Sequence, residues 1–270
     1  MNMNNKITKC SKAWLMAFIN PRMLIGVLAL PRYLADYWRY KVNAMSSGTQ
    51  LRFVDTYPCL ADRLSHTPFD AHYFYQASWL ARKIADEKPV QHTDIGSSVL
   101  VVGVLSGFVD TIFVDYRPLQ ATLPRLKSSA GDITGLPFES GTQSSLSCLH
   151  VIEHIGLGRY GDPLDPLGSS KAATELQRVM TPGGSLYLST PVGKERTCFN
   201  AHRIFSPSTI CKLFSELQLV SFSCVNDSGQ FIEDIPGEMA AEYLYGCGMF
   251  HFRKPGTGEN GHQQLAKTNG

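Results

Sequence analysis

The stretch VQHTDIGSSVLVVGVLSGFVDTIFVD, Val90 to Asp115, decides the fold. Val90 to Ile95 can be a strand, the polar Gly96-Ser97-Ser98 breaks it, and Val99 to Ser106 is an apolar helix. Thr111 to Asp115 follows as a β-branched run closed by an acid. Strand, helix and strand in this order make a parallel unit, because parallel neighbours need a long crossover.

The alternation continues outward. Trp79 to Ala85 reads as a helix ended by Pro89, and Ser145 to His150 as a further strand. Lys171 to Met180 is a helix with Ala172, Leu176 and Val179 on one stripe, stopped by Pro182-Gly183-Gly184. Ser185 to Thr190 is the next strand, and Ser206 caps a helix that opens on Pro207 and turns Ile210, Leu213, Phe214 and Leu217 inward. Leu219 to Val225 and Gly246 to Phe252 are two late strands with no helix between them. The pattern predicts an α/β fold, a three-layer sandwich ending in an antiparallel strand pair.

Composition narrows the function. The 270 residues are 43% hydrophobic and 18% charged, which suits a folded core rather than a disordered chain. The net charge of +2 does not suggest a nucleic-acid-binding protein. Residues 1–45 hold Lys6, Lys9, Lys12, Arg22, Arg32, Arg39 and Lys41 against Asp36 alone, so the basic charge is concentrated there. The 7 cysteines are scattered and contain no C-x-x-C, which fits a reducing, cytoplasmic setting.

Asn20, Pro21 and Arg22 cut the apolar run Ala13 to Leu30 into halves too short to span a bilayer, and no small-residue cleavage site follows Trp14 to Ile19. Pro31 is suited to opening a helix that carries Tyr33, Leu34, Tyr37 and Trp38 at helical spacing. That helix either packs on the main domain or lies on the inner face of an anionic membrane. The reading divides the chain into a basic amphipathic segment (1–54), a main domain (55–254) and a disordered tail (255–270).

Ligands of such sheets sit beyond the carboxyl ends of the strands. Asp94, Asp115, Asp132, His150 and Thr190 follow successive strands there, and every such end carries polar or turn-forming residues. An acid at the end of the second strand, here Asp115, is placed to accept hydrogen bonds from both hydroxyls of a ribose. Gly96 lets the backbone approach a ligand, with Ser97 and Ser98 adding hydroxyls, although an ordinary turn reads the same way.

These residues resemble a family. Asp94-Ile95-Gly96, Asp115, Gly131-Asp132 before Leu136-Pro137-Phe138, the segment His150-Val151-Ile152-Glu153-His154 and Leu176 to Gly184 are similar to the successive motifs of class I S-adenosylmethionine-dependent methyltransferases. More narrowly, HTDIGSS, DYRPL, LPF, SSLSCLHVIEHIGLGRYGDPLDPLG, FNAHRIFSP and CGMFHFRK resemble the domain-of-unknown-function family numbered 268. The resemblance covers about residues 55–254 and implies a Rossmann-like methyltransferase sheet. It also implies that Asp94, Gly96 and Ser97 line the methionine end of S-adenosylmethionine, Asp115 holds its ribose, Asp132 and Ile133 flank its adenine, and His150 closes the site. The chain departs from the family's G-x-G-x-G loop, with Ser98 and Leu100 at the second and third glycine positions.

The implied function is O-methylation of a sugar hydroxyl in surface-glycan biosynthesis. A non-catalytic ligand-binding or assembly module of the same fold is the alternative that the altered loop favours. His154 and His202 are candidate bases for the hydroxyl proton, and Asn200 and Arg203 candidates to orient the acceptor. Glu153, Asp162 and Asp165, with His154 and His202, could hold a divalent cation such as Mg2+; the two aspartates could equally cap a loop around Pro163 and Pro166. His150-x-x-Glu153-His154 also matches the H-x-x-E-H pattern of inverted zinc peptidases, which needs both histidines on one helical face.

Overall fold

The computed structural model describes residues 21–256. The lysines at positions 6, 9 and 12, the apolar stretch before Pro21 and the tail beyond Gly256 lie outside the described residues. The chain forms two compact units, Met1–Phe69 and Asp70–Gly270, where the sequence reading places the boundary after residue 54.

In the first unit α1 runs from Pro21 to Ser46. Pro31 lies inside this helix rather than opening it, and the predicted stripe splits. Tyr37 is buried and meets the ring of Phe53 edge-to-face at 5.7 Å, while Leu34 and Trp38 are exposed. No described helix is long and apolar enough to cross a membrane.

The second unit is built on one sheet. Its helices are α2 (Ala71–Glu87), α3 (Val99–Leu105), α4 (Gly168–Val179) and α5 (Pro207–Leu213). Its strands are β1 (Gln91–Ile95), β2 (Asp110–Asp115), β3 (Leu126–Ala130), β4 (Gln143–Leu149), β5 (Met180–Val192), the small hairpin β6 (Arg196–Cys198) and β7 (His202–Ile204), then β8 (Gln218–Val225), β9 (Phe231–Ile232) and β10 (Gly246–Arg253). The order across the main sheet is β3-β2-β1-β4-β5-β10-β8-β9. β3 through β5 are parallel, and β10 lies antiparallel between β5 and β8, giving the expected late antiparallel pair.

Period-2 alternation feeds two cores. Leu146, Leu186, Leu188, Phe250 and Phe252 point to the face covered by Leu176 of α4 and Ile210 of α5. Tyr187, Met249 and Val225 point to the opposite face, covered by Trp79, Leu80 and Ile84 of α2 and Val101 and Leu105 of α3. Three layers result, and each large side chain buried in them contributes about 1.5–3 kcal/mol. Caps fix the helix ends. Asp70 Oδ1 accepts the Tyr73 amide at 3.2 Å, and Ser206 Oγ accepts that of Thr209 at 3.2 Å, as its sequence position predicts.

Pro182-Gly183-Gly184, expected to precede a strand, lies within β5 and makes an irregularity, with the pairing jumping between Gln143 and Ser145 on β4. No helix separates β2 from β3 or β3 from β4. The residues that open those connections, Tyr116-Arg117 and Gly131 to Thr134, line the carboxyl ends of the strands, where the site forms.

Candidate functional site

A cavity of about 370 Å3 opens at the carboxyl ends of β1, β2 and β4. Ile95, Gly96, Asp115, Ile133, His150, Val151 and Tyr160 line it. Gly96 sits at φ +69°, and a Cβ there would lie 3.2 Å from Val151 Cγ1 and 3.6 Å from Asp115 Oδ2. This position therefore needs glycine both for its backbone and to keep the space above β1 open. Ser98, at φ −60°, adopts a conformation open to any residue, and Leu100 is exposed, so the missing glycines cost the backbone nothing.

Asp115 Oδ1 accepts the Arg117 amide at 2.7 Å, fixing the carboxylate with Oδ2 beside Gly96. Asp132 folds its own loop, its Oδ1 accepting from Thr134 N at 2.8 Å and Thr134 Oγ1 at 2.7 Å. The buried Ile133 offers the cavity an apolar wall.

Asp94 and Ser97 belong to the foundation rather than to the cavity wall. Asp94 is fully buried; its Oδ1 accepts the Ser97 amide at 3.0 Å and its Oδ2 accepts the Ser147 hydroxyl. Burial pushes its carboxyl up to about 6, against the hydrogen bonds from Ser147 and Ser97. Ser97 Oγ accepts the Leu149 amide at 2.9 Å, tying the loop after β1 to β4. Behind them His92, its pKa lowered to about 3 by burial, bridges Ser145 and Ser147 at 2.8 Å each. The expectation that Asp94 and Ser97 line the methionine end is thus redirected, because both side chains are spent on holding the loop.

His150 and His154 line both this cavity and a second one of about 490 Å3. Asp70, His72, Tyr73, Glu153, Arg159, His202 and Tyr245 also line the second. His150, at φ +54°, places Nδ1 3.0 Å from Glu153 Oε1 and Nε2 3.2 Å from Cys247 Sγ. Burial opposes its charge, but Cys247 and the Glu153 carboxylate outweigh that and raise its pKa well above the usual value. For Glu153 burial favours the neutral acid, and His150 with His154 overcomes it, lowering the pKa and keeping the carboxylate charged. His154 has Nδ1 2.6 Å from the Ala201 carbonyl, to which it donates, leaving Nε2 3.7 Å from Glu153 Oε1. Burial lowers the pKa of both His154 and His202, favouring neutral rings. The His202 ring lies 5.1 Å from that of Tyr245.

The other expected residues fall elsewhere. Asn200 is exposed and lines neither cavity. Arg203 turns away from both and donates to Ile155 O at 2.7 Å and Ser169 Oγ at 3.1 Å, clamping the loop between β4 and α4. Asp162 spends its oxygens on the amides of Gly156 (2.7 Å) and Tyr160 (3.2 Å). Asp165 accepts from Leu167 N at 2.9 Å and pairs with Lys171 at 2.7 Å. Both aspartates are loop caps at the rim of the first cavity, whereas Glu153 lines the second. The three do not form one cation site, and the Mg2+ expectation loses its ligand set.

Nor do His150 and His154 share a helical face, because residues 150–161 form successive turns rather than a helix. The peptidase geometry is absent. Its turns are forced by glycine, since Gly156 has φ +81° and a Cβ there would come within 1.9 Å of the Asp165 carbonyl. Sequence reading missed His72, Cys247 and Tyr245, which come from α2, β10 and the residue before β10, and share no local spacing with the site.

Residues 141–234 match the family model described as "Caenorhabditis protein of unknown function, DUF268". No curated protein matches the chain. Among solved structures, a Galdieria sulphuraria protein assigned as a sarcosine dimethylglycine methyltransferase is 15% identical with a TM-score of 0.50, covering 67% of this chain and 86% of that one. The N-methyltransferase NodS of Bradyrhizobium japonicum WM9, solved with S-adenosyl-L-homocysteine, is 14% identical with a TM-score of 0.47, covering 72% and 92%. The first likeness, at a TM-score of 0.50, speaks to fold alone. With the sheet order above, the chain has the Rossmann-like fold of class I S-adenosylmethionine-dependent methyltransferases, and its central segment matches the DUF268 family.

Proposed function

We propose that the chain transfers a methyl group from S-adenosylmethionine to a hydroxyl of a sugar in a surface glycan or its precursor. The observation that carries this reading is the Asp115 carboxylate, held beside the side-chain-free surface of Gly96 in a cavity that adjoins a second, polar one at His150 and His154. Those residues suit the cofactor: Asp115 Oδ2 for the ribose hydroxyls, the Gly96 backbone beneath it, and Ile133 against the adenine. When bound, the cofactor supplies an electrophilic methyl group.

The acceptor belongs in the second cavity, whose tyrosines, histidines and Arg159 suit a hydroxyl-rich ring. His154 takes the hydroxyl proton at Nε2, because its Nδ1 is committed to the Ala201 carbonyl. Glu153 then faces the imidazolium it has helped to form. His202 borders the same cavity and is the second candidate base. A labelled-methyl transfer assay on glycan acceptors tests this: His154→Ala should lower kcat about 10²–10⁴-fold. Undiminished transfer by the variant would remove His154 from the role.

The exposed Trp38 and the basic residues of α1 support the further proposal that residues 1–45 rest on an anionic membrane surface, which would keep the enzyme near lipid-linked acceptors.

A further inference from the structure

The three residues that sequence reading missed or explained otherwise meet at one point. His72 lies in the first turn of α2, His150 directly follows β4, and Cys247 is the second residue of β10. One ligand atom from each lies within 4.8 Å of the other two, and among the described residues no other group of three such side chains gathers this closely. His150 Nε2 and Cys247 Sγ are 3.2 Å apart. We propose that His72, His150 and Cys247 form a zinc site whose fourth position opens into the second cavity.

Two features beyond the cluster support the assignment. One is the partner behind His150, whose Nδ1 stands 3.0 Å from Oε1 of the fully buried Glu153. A histidine ligand to a metal almost always donates its other N–H to such a group, which fixes the tautomer and makes the ligating nitrogen more basic. Here Oε1 makes no hydrogen bond in this structure, yet it stands as the ion-pair neighbour on the Nδ1 side, which leaves Nε2 toward Cys247. The other is the asymmetry of access: Cys247 is completely buried, while His72 and His150 line the second cavity. Full burial keeps Cys247 from attacking a substrate, so the Cys247-His150-Glu153 relay does not serve as a nucleophilic triad. It does not hinder a thiolate from ligating. One sulfur and two imidazole nitrogens suit zinc, and three protein ligands with an open fourth position are the pattern of a zinc that binds a small molecule.

Binding exchanges a proton for the metal. The proton between His150 Nε2 and Cys247 Sγ passes to solvent as both atoms take up zinc. A hydroxyl entering the fourth position would lose its own proton more readily. That last role rests on the methyl-transfer reading, whereas the site itself does not.

Full-length protein should be stripped with chelator, reloaded with zinc or with cobalt(II), and washed. The expectation is equimolar retained zinc and, with cobalt, a near-ultraviolet sulfur-to-metal charge-transfer band. Cys247→Ser should abolish the band. His72→Ala, in a half-buried helix turn where folding is less at risk, should weaken zinc binding, and Glu153→Gln should weaken it about 10–100-fold. Wild-type protein that retains no zinc, or a cobalt spectrum without the sulfur band, overturns the site. Neither result touches cofactor binding, which is measured without metal.

Discussion

At the scale of single residues, the buried pair His92 and Asp94 shows how a site rests on groups that never meet a ligand. Ser145 donates to His92, His92 to Ser147 and Ser147 to Asp94, so the chain of hydrogen bonds ends on the carboxylate that holds the loop after β1. The two titrations oppose each other. His92 stays neutral in the folded protein down to about pH 3 and takes a proton near 6.5 when unfolded, so its contribution is present above 6.5 and lost as pH falls. Asp94, raised from 3.8 to about 6, has the opposite sign, because its contribution is present below 3.8 and lost as pH rises through 6. Between pH 6 and 4 they largely cancel. Asp94→Asn removes one side, and its stability should fall more steeply than wild type across this window, by up to about 1.4 kcal/mol per pH unit. Urea unfolding at several pH values reads this directly, and parallel profiles for the two proteins would contradict the assignment. Sequence revealed Asp94 as a residue at a strand end but not the direction of its side chain. Its partner Ser147 lies on the next strand, and only the pairing of Asp94 with Ser147 brings the two together.

At the scale of elements, the loop from His150 to Leu167 forms the outer wall of the cavity and is held by Arg203, Asp162 and Asp165 rather than by regular structure. Arg203→Ala should therefore lower stability by about 1.5–3 kcal/mol for each charge-assisted bond lost, seen as a lower Tm. An unchanged Tm would contradict this clamping role. Gly156→Ala should cost at least about 1–2 kcal/mol for the left-handed backbone alone, before the clash with Asp165 is added. Elements with strong periodicity, such as α4 and the β1-α3-β2 unit, were legible in the sequence because one face of each is apolar. β3, LKSSA, was not, since it is an edge strand that buries little on either face. The hairpin β6-β7 escaped because three-residue strands carry no period, and of α1 the part after Pro31 was legible but not its start at Pro21, since the helix runs through Pro31.

At the scale of the whole molecule, the three-layer α/β class and the late antiparallel pair were legible from the strand-helix alternation, whereas the order of the strands across the sheet was not. The meeting of His72, His150 and Cys247 was not legible either, because it depends on where α2 and β10 begin in space. The charge of residues 1–45 leads to a separate expectation. The full chain should sediment with anionic vesicles at low salt, and Arg32→Glu with Arg39→Glu should weaken this by about fivefold or more per residue, given about 1 kcal/mol for each basic group at the surface. Sedimentation indifferent to salt and to these changes would contradict a membrane-surface role. The central claim is that the cavity between Gly96 and Asp115 holds the nucleoside of S-adenosylmethionine. Calorimetric titration of the full chain with S-adenosylhomocysteine tests it most directly. The account predicts saturable binding that Asp115→Ala weakens at least about tenfold, since each hydrogen bond to the charged carboxylate is worth about 1.5–3 kcal/mol. No heat at millimolar ligand, or equal affinity in the variant, would contradict it.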